Sequence, residues 1–534
     1  MGVDGVFRAK KGKVVMSLLL ASALLVTACG GKSGEAQDPK GNASADTKEI
    51  SLLRPSWNNL RPASSELWMW QEYEKMSGIK VKWEELTDIG EKKNVILTRG
   101  DLPDAFYQVD WSNGELLKYG QQGLFLPLEE LIKEHAPNLQ KYLEENEDVR
   151  KGLTSADGHI YATPYIDPYP EGNRTIRLWI NKKWLDNLGM EVPKTTAELE
   201  EALMAFVTKD PNGNGVNDEQ GWYMPSGSLG WTFEQMMMGS FGIGNGGRKA
   251  LGNFIYVDDN DEIQLTITAD GYKELLKYEN RMYKNGAINK QAFSGVDYDK
   301  WTADAAKDTV GAWNWAAIDY IGESVKDDFV AINVLAGPDG DTASLTDSQV
   351  AGASSLVVTK DAKDPGAILK WVDYFYSEEG SVFGYLGKEG VTYNVEDGKK
   401  VYIDEILNYK DGIGLGAFQY VDNVYGGYFP YIELSPEVRA AAGRKEAPVY
   451  TDLTEETLPS VMLPDLPATI QEANESSSII ADVGNYVGQM RVEFVTGTKD
   501  IDKEWDNYIA QLKKMGSDKY LEIKQTQYKR YKES

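Results

Sequence analysis

One ten-residue run carries the clearest chemistry in this chain: Asp210-Pro211-Asn212-Gly213-Asn214-Gly215-Val216-Asn217-Asp218-Glu219. Side-chain oxygens at the first, third and fifth positions, and a glycine at the sixth to turn the backbone, suit Ca2+, a hard cation that takes roughly six to eight oxygen ligands. Val216 would add its backbone carbonyl at the seventh position and Asp218 a carboxylate at the ninth. The bidentate glutamate of an EF-hand belongs at the twelfth position, which here is Gly221, so that role falls to Glu219. Calcium so held is a structural clip, because no reactive group neighbours it. The competing reading is an Asn-Gly turn whose side chains cap their own backbone.

A second constellation is aromatic. With 14 Trp and 30 Tyr, many beside Gly and Pro, the chain is rich in flat apolar panels. Sugar rings pack their C–H faces on such panels, while their hydroxyls need a few Asp, Asn, Arg or Tyr partners. Tyr425-Gly426-Gly427-Tyr428 is a glycine-loosened aromatic loop suited to closing the open end of a cleft. Arg174 and Arg177 could meet a uronate carboxylate or lie in surface salt bridges. Catalysis has less to build on. His135 and His159 are the only histidines, and no Gly-x-Ser-x-Gly elbow, His-Glu-x-x-His or phosphate loop occurs. The 83 acidic residues leave a glycosidase-like carboxylate pair open, but nothing marks one, so the expectation is a protein that is not an enzyme.

The single cysteine, Cys29, comes after a basic segment (Arg8, Lys10, Lys11, Lys13), the apolar run 14–26, and Thr27-Ala28. This is the pattern of a lipoprotein signal: residues 1–28 are removed and Cys29 receives diacylglycerol on its sulfur. The apolar run is too short to span a bilayer comfortably, and two acyl chains give a stable anchor where one does not. The alternative is a buried free cysteine. Residues 29–48 lack any aromatic or large aliphatic side chain and read as a flexible stalk. The chain beyond Cys29 contains no cysteine, which excludes disulfides, thiolate nucleophiles and cysteine-based zinc sites from the folded part. The net charge of −27 becomes about −30 once residues 1–28, with four basic residues and one acid, are gone. Such a field repels nucleic acid and anionic lipid.

The elements that must position these groups begin near Glu49. Ile50, Leu52 and Leu53 predict a strand, and a helix from about Ser64 stops at Gly78. Ile79-Lys80-Val81-Lys82-Trp83 alternates as a strand should. Next come a helix over about 88–98, a strand at 102–107 and a helix from about Asn113 closed by Gly123. Alternating strands and helices argue for a parallel sheet with helices on both faces. In such sheets ligands bind beyond the carboxyl ends of the strands, where Trp57, Asn58, Asp110 and Trp111 fall. Further on, 177–181 reads as a strand, 182–189 as a short helix with a glycine stop, and Thr195 as the start of a helix reaching about Thr208.

Several pieces occur in a telling order: Leu102-Pro103-Asp104-Ala105-Phe106, Gln122-Gly123-Leu124-Phe125-Leu126-Pro127-Leu128, Gly158-His159-Ile160-Tyr161-Ala162-Thr163-Pro164, Trp184-Leu185-Asp186-Asn187-Leu188-Gly189 and Gly311-Ala312-Trp313-Asn314-Trp315. In order and spacing they cover nearly all of 49–400. They resemble the extracellular solute-binding proteins of ABC importers, the group typified by maltose-binding protein, and the Tyr-rich stretch from Trp505 to Tyr531 resembles the larger oligosaccharide-handling members. The resemblance implies a type II periplasmic-binding-protein-like α/β fold of two lobes, each a mostly parallel sheet flanked by helices, with the ligand cleft between them. The lobes would be 49–164 plus 353–410 and 165–352 plus 411–534. It places Trp313 and Trp315 as a sugar-stacking panel, and Trp57 and Trp111, at their strand ends, could line the facing lobe. A loop like 210–219 is structural in the alginate-binding members. The implied protein is monomeric and lipid-anchored on the outer face of the cytoplasmic membrane, as in Gram-positive cells. It captures an oligosaccharide and delivers it to the permease subunits of an ABC transporter, with no nucleic-acid partner. The alternatives are a peptide-binding lipoprotein or a secreted polysaccharide-degrading enzyme.

Overall fold

The computed structural model describes residues 48–57, 59–169, 176–223, 233–293, 297–315, 318–322, 324–332, 334–410, 412–422, 429–443 and 455–534. Cys29, the stalk, Asn58, Arg174, Tyr425 and Tyr428 lie outside them. The strands in chain order are β1 (Lys48–Pro55), β2 (Ile79–Leu86), β3 (Ala105–Tyr107), β4 (Thr163–Ile166), β5 (Arg177–Asn181), β6 (Gln220–Trp222), β7 (Ile255–Val257), β8 (Ile263–Leu265), β9 (Val310–Trp315), β10 (Phe329–Ile332), β11 (Val350–Val358), β12 (Tyr393–Glu396) and β13 (Lys399–Tyr402). They form a five-stranded sheet of order β2-β1-β3-β11-β4, a four-stranded sheet of order β10-β5-β9-β6, and two hairpins, β7–β8 and β12–β13.

Alternation along the first sheet sorts its apolar side chains into two cores. Leu52, Tyr107, Leu356 and Val358 enter one, while their neighbours Leu53, Phe106 and Val357 enter the other. Successive side chains of a strand point to opposite faces, so a sheet covered on both faces needs such near-continuous apolar runs. β2 sits at the edge and keeps Lys80 and Lys82 exposed, which blunts pairing with other chains. The helix Trp68–Ser77 ends at Gly78, whose φ of 66° lets its N–H reach the Glu74 carbonyl at 3.0 Å. Trp70 on that helix is buried and stacked on Trp371, while Trp68 is half-buried against Phe383.

The second sheet shares a core with the helix Thr196–Phe206, opened by a Thr195/Glu198 capping box, and with three carboxyl-terminal helices, Ile470–Thr496, Ile501–Lys514 and Ser517–Glu533. The expected Tyr-rich stretch is thus two helices, divided at Gly516 (φ 98°). Among the described residues no helix is long and apolar enough to cross a membrane.

Most strands of each sheet run the same way, as expected: β11 alone opposes the other four of the first sheet, and β5 alone opposes the other three of the second. The exceptions follow from the shuttling of the chain, since a strand that returns from the other lobe must run against those that left. One expectation needs correction: the segment expected in the second lobe from 411 onward divides. Ala417, Val421, Phe429, Tyr431, Leu434 and Ala442 pack in the first sheet's core, and by Val461 the chain has joined the second.

Candidate functional site: the edge where the sheets are joined

Strand directions locate the site. β4 is antiparallel to β11, which is antiparallel to β3, so β4 and β3 point the same way. The end at which β4 leaves for the second sheet is therefore the carboxyl end of β1 and β3, which are parallel. In the second sheet β9 runs against β5, and β6 runs with β9, so their carboxyl ends lie where β5 begins. Both sheets turn the carboxyl ends of these strands toward the crossings, the position at which open α/β sheets take ligands.

Trp57 and Trp315 stand on this edge, one from each lobe. Trp57 is half-buried two residues past β1, in a turn whose Leu60 and Arg61 N–H groups donate to its carbonyl at 2.8 and 3.1 Å. Its ring meets Phe418 edge-on at 6.2 Å. Trp315 ends β9, half-buried, opposite Arg177 in register, and its carbonyl accepts the Trp179 indole N–H at 3.1 Å. Asp110 is exposed beyond β3. Arg177, 3% exposed, is an interior residue of the edge and not a surface one.

The other two tryptophans expected to stack on ligand are core residues. Trp313 is fully buried, stacked on Trp179 at 5.8 Å and edge-on to Trp301 at 5.3 Å. It shares a face of β9 with Trp315, but two residues further from the strand end that face is covered. Trp111 is 2% exposed among Phe106, Phe125 and Tyr119, with the Lys93 ammonium 4.8 Å from its ring. The chain turns inward immediately after Asp110, where the Trp111 N–H donates to Ser354 Oγ at 3.1 Å.

Beneath Trp57 lies a cluster of charges that sequence reading missed. Asp422 accepts from both terminal nitrogens of Arg54, from Arg61 at 3.0 Å and from the Trp70 indole at 3.1 Å. Arg54 also donates to Gln108, and Glu85 accepts from the backbone N–H and hydroxyl of Ser64 at 3.1 and 2.7 Å and lies 3.9 Å from Arg61. The side chains of Arg54, Arg61 and Asp422 have no exposed surface. Burial disfavours the Arg54 cation, but Asp422 more than offsets this and holds its pKa above the ordinary value; burial leaves Arg61 below its own, against the pull of Asp422. Both remain charged. The cluster ties the turn bearing Trp57 to Asp422, just past the helix Ile413–Phe418. Its one visible signal was an arginine directly after the apolar pair Leu52-Leu53 of β1.

The loop 210–219 lies at the opposite end of the second sheet, before β6. Asp210 takes φ 50°, and Gly213 and Gly215 take φ 71° and 77°. Asp210 Oδ1 and Asn212 Oδ1 accept the Asn214 N–H at 3.1 and 3.0 Å, Asp210 Oδ2 accepts the Gly215 N–H at 3.0 Å, and Asn214 donates to Asp218 at 3.2 Å. Glu219 is 7% exposed, and neither carboxylate oxygen has a hydrogen-bond partner. Burial, then the charges of Asp210 and Asp218, push its pKa up. Val216 is exposed. Among the described residues no cluster of three His, Cys, Asp or Glu side chains is arranged to hold a metal; half of this loop's six candidate donors are amide or backbone oxygens.

Two α/β lobes joined by crossing strands, with half-buried tryptophans on the joined edges, are the architecture of a ligand-capturing protein. Residues 58–382 match the bacterial extracellular solute-binding proteins, and the chain belongs to that family. Its relatives include the fructooligosaccharide ABC transporter substrate-binding protein FusA of Streptococcus pneumoniae, 29% identical over 553 residues that cover 96% of this chain and 97% of FusA. The structure of FusA in complex with kestose aligns with a TM-score of 0.73 at 27% identity, over 91% of this chain and 99% of that one. An EF-hand mutant of FusA in complex with fructo-nystose aligns at 0.72, with the same identity and coverage. An HMO-binding, ABC-transporter-associated solute-binding protein of Bifidobacterium longum infantis shares the fold, with a TM-score of 0.76 at 23% identity over 91% of this chain and 99% of its own.

Proposed function

We propose that this protein captures an oligosaccharide between its two lobes and hands it unchanged to the permease of an ABC importer. The observation that carries the reading is the pair Trp57 and Trp315, half-buried on the joined edges of opposite lobes, in a chain similar over nearly its whole length to a fructooligosaccharide-binding protein. The two rings would pack on sugar faces, Asp110 and Asn58 would serve hydroxyls, and Tyr425 and Tyr428 would close the open end, with Arg177 buried behind Trp315 as support. Hinge bending about the crossings would bring the lobes together, and the closed form would dock on the permease as a monomer. Cys29 supplies the anchor, placing the protein outside the cytoplasmic membrane.

Calcium belongs to the same proposal. Asp210, Asn212, Asn214, the Val216 carbonyl, Asp218 and Glu219 would hold it, and the fit rests on Glu219, whose buried carboxylate has no other partner. The ion would neutralise three carboxylates and fix the starts of β6 and β9, since Asn212 donates to the Asp308 carbonyl at 2.9 Å just ahead of β9.

Thermal unfolding of residues 30–534 with a panel of oligosaccharides and peptides tests the reading. A ligand of the native state raises the midpoint by several degrees at saturation. The expected result is a shift with one class of oligosaccharide, recovered intact by chromatography. A shift with peptides alone, or recovery of cleaved sugar, contradicts it.

A further inference from the structure

The crossing that returns the chain to the first sheet, residues 345–350, is held from both lobes, and the holds leave one residue between them. On the second-lobe side the Leu345 carbonyl accepts the Ile176 N–H of the outgoing crossing at 3.0 Å, and the Leu345 side chain lies in the second core. The Arg248 N–H donates to the Thr346 carbonyl at 2.6 Å, and the Arg248 guanidinium pairs with Asp347, whose side chain has no exposed surface. Arg248 sits on the short helix Gly247–Gly252, which packs in the second core through Ala250 and Leu251. Gly247, at φ 76°, permits the close approach, since a Cβ there would lie 2.9 Å from the Thr346 carbonyl oxygen. On the first-lobe side the Gln349 carbonyl accepts the Asp167 N–H at 2.8 Å, and the Gln349 side-chain oxygen accepts the Tyr142 hydroxyl at 3.2 Å. Tyr142 belongs to the helix Pro137–Glu145, which packs in the first sheet's core through Leu139 and Leu143, and Val350 opens β11 in that same core.

Of these six residues Ser348 alone is held by neither lobe. Among the described residues neither its backbone nor its hydroxyl makes a hydrogen bond, although the side chain is buried. A buried hydroxyl without a partner calls for a cause. A second arrangement of the lobes, in which Ser348 turns to meet a partner, supplies one. Hinges are a few residues at the ends of elements that absorb changes in φ and ψ, and a residue bonded on neither side breaks no hydrogen bond when it turns. We infer that the returning crossing bends at Ser348, with Arg248 and Tyr142 as positioning residues that hold Asp347 to the second lobe and Gln349 to the first. This rests on the capture reading above and assigns residues to its motion.

The test is pulsed electron–electron resonance on sugar-free residues 30–534, which contain no native cysteine, with spin labels introduced through Lys75→Cys and Lys307→Cys. Lys75 stands near the amino end of β2 and Lys307 ahead of the amino end of β9, both exposed and both away from the crossings. Ser348→Gly frees the pivot and should broaden the distribution of distances between the labels at least about 1.5-fold. Ala343→Gly adds the same backbone freedom on the second-lobe side of the holds and should leave the distribution unchanged. Tyr142→Phe removes one first-lobe hold and should broaden it by less than Ser348→Gly does. An unchanged distribution in Ser348→Gly overturns the pivot, and so does equal broadening in Ala343→Gly. No broadening in Tyr142→Phe overturns the role given to Tyr142. Because no sugar is added, the oligosaccharide reading stands or falls separately, in the thermal-unfolding panel.

Discussion

The two ends of β9 face opposite tasks. At its amino end, Asp308 ties the strand to the oxygen-rich loop through Asn212 and to Lys183 and Trp184 through its own carboxylate, at 2.8 and 2.9 Å. At its carboxyl end, Trp315 is left half-buried on the edge where the lobes meet. Between them Trp313 disappears into the core. One strand therefore runs from a rigid mount, through a packed middle, to an adaptable tip. A binding panel is held most firmly when its strand is fixed at the far end and the panel itself keeps free surface.

The largest effect that separates middle from tip is on stability. Trp313→Ala removes a fully buried indole and should cost about 3–5 kcal/mol in urea unfolding. A loss below about 1 kcal/mol would place Trp313 outside the core. Calcium sharpens the contrast between the ends. At a free concentration near 100 times its Kd it should add about 3 kcal/mol of stability, and Glu219→Gln should erase that increment. Because the loop lies at the end of β6 away from the crossings, oligosaccharide affinity should change by no more than about twofold, roughly 0.4 kcal/mol. A large loss of affinity on chelation would break the division of labour.

A second buried cluster offers a comparison between lobes. In the second lobe Arg491 is shared by Glu234 and Glu279, at 2.9 Å from each, so one cation faces two carboxylates. Burial pushes Glu279 up to about 7, with Arg491 opposing and Glu234 adding to the rise. The native protein therefore keeps a proton that the unfolded chain releases near 4.5, and stability falls as pH rises from about 4.5 to 7. The contribution is on the order of 1–3 kcal/mol. Urea midpoints measured across that range should show the decline, and Glu279→Gln should flatten it. A decline of unchanged slope in Glu279→Gln would assign it to other groups. The first lobe's cluster, with two cations and two carboxylates, has no such surplus of negative charge.

Local features were legible before the fold. The Gly78 stop, the capping box at Thr195 and Glu198, and the strand at 177–181 depend on neighbours a few residues apart, and the sequence states them directly. Trp111 and Trp313 were misjudged for a different reason. A tryptophan near a strand end looks the same in sequence whether the chain next turns inward or outward, and two residues along β9 separate core from cleft. The Arg54–Asp422 pair joins residues 368 positions apart, beyond any spacing rule, and the placement of Ala417, Val421 and Phe429 in the first lobe depends on a third passage of the chain between lobes. Contacts of that kind are set by topology.

The central claim is that the joined edge binds sugar through Trp57 and Trp315. Its most direct test is calorimetric titration of the wild type and of Trp315→Ala with the oligosaccharide that most raises the wild-type melting temperature. The account predicts that Trp315→Ala weakens binding about tenfold or more, near 1.4 kcal/mol, while the unliganded melting temperature stays within a few degrees of wild type. Equal affinity in the two proteins would contradict it, and so would loss of binding accompanied by an equivalent loss of fold.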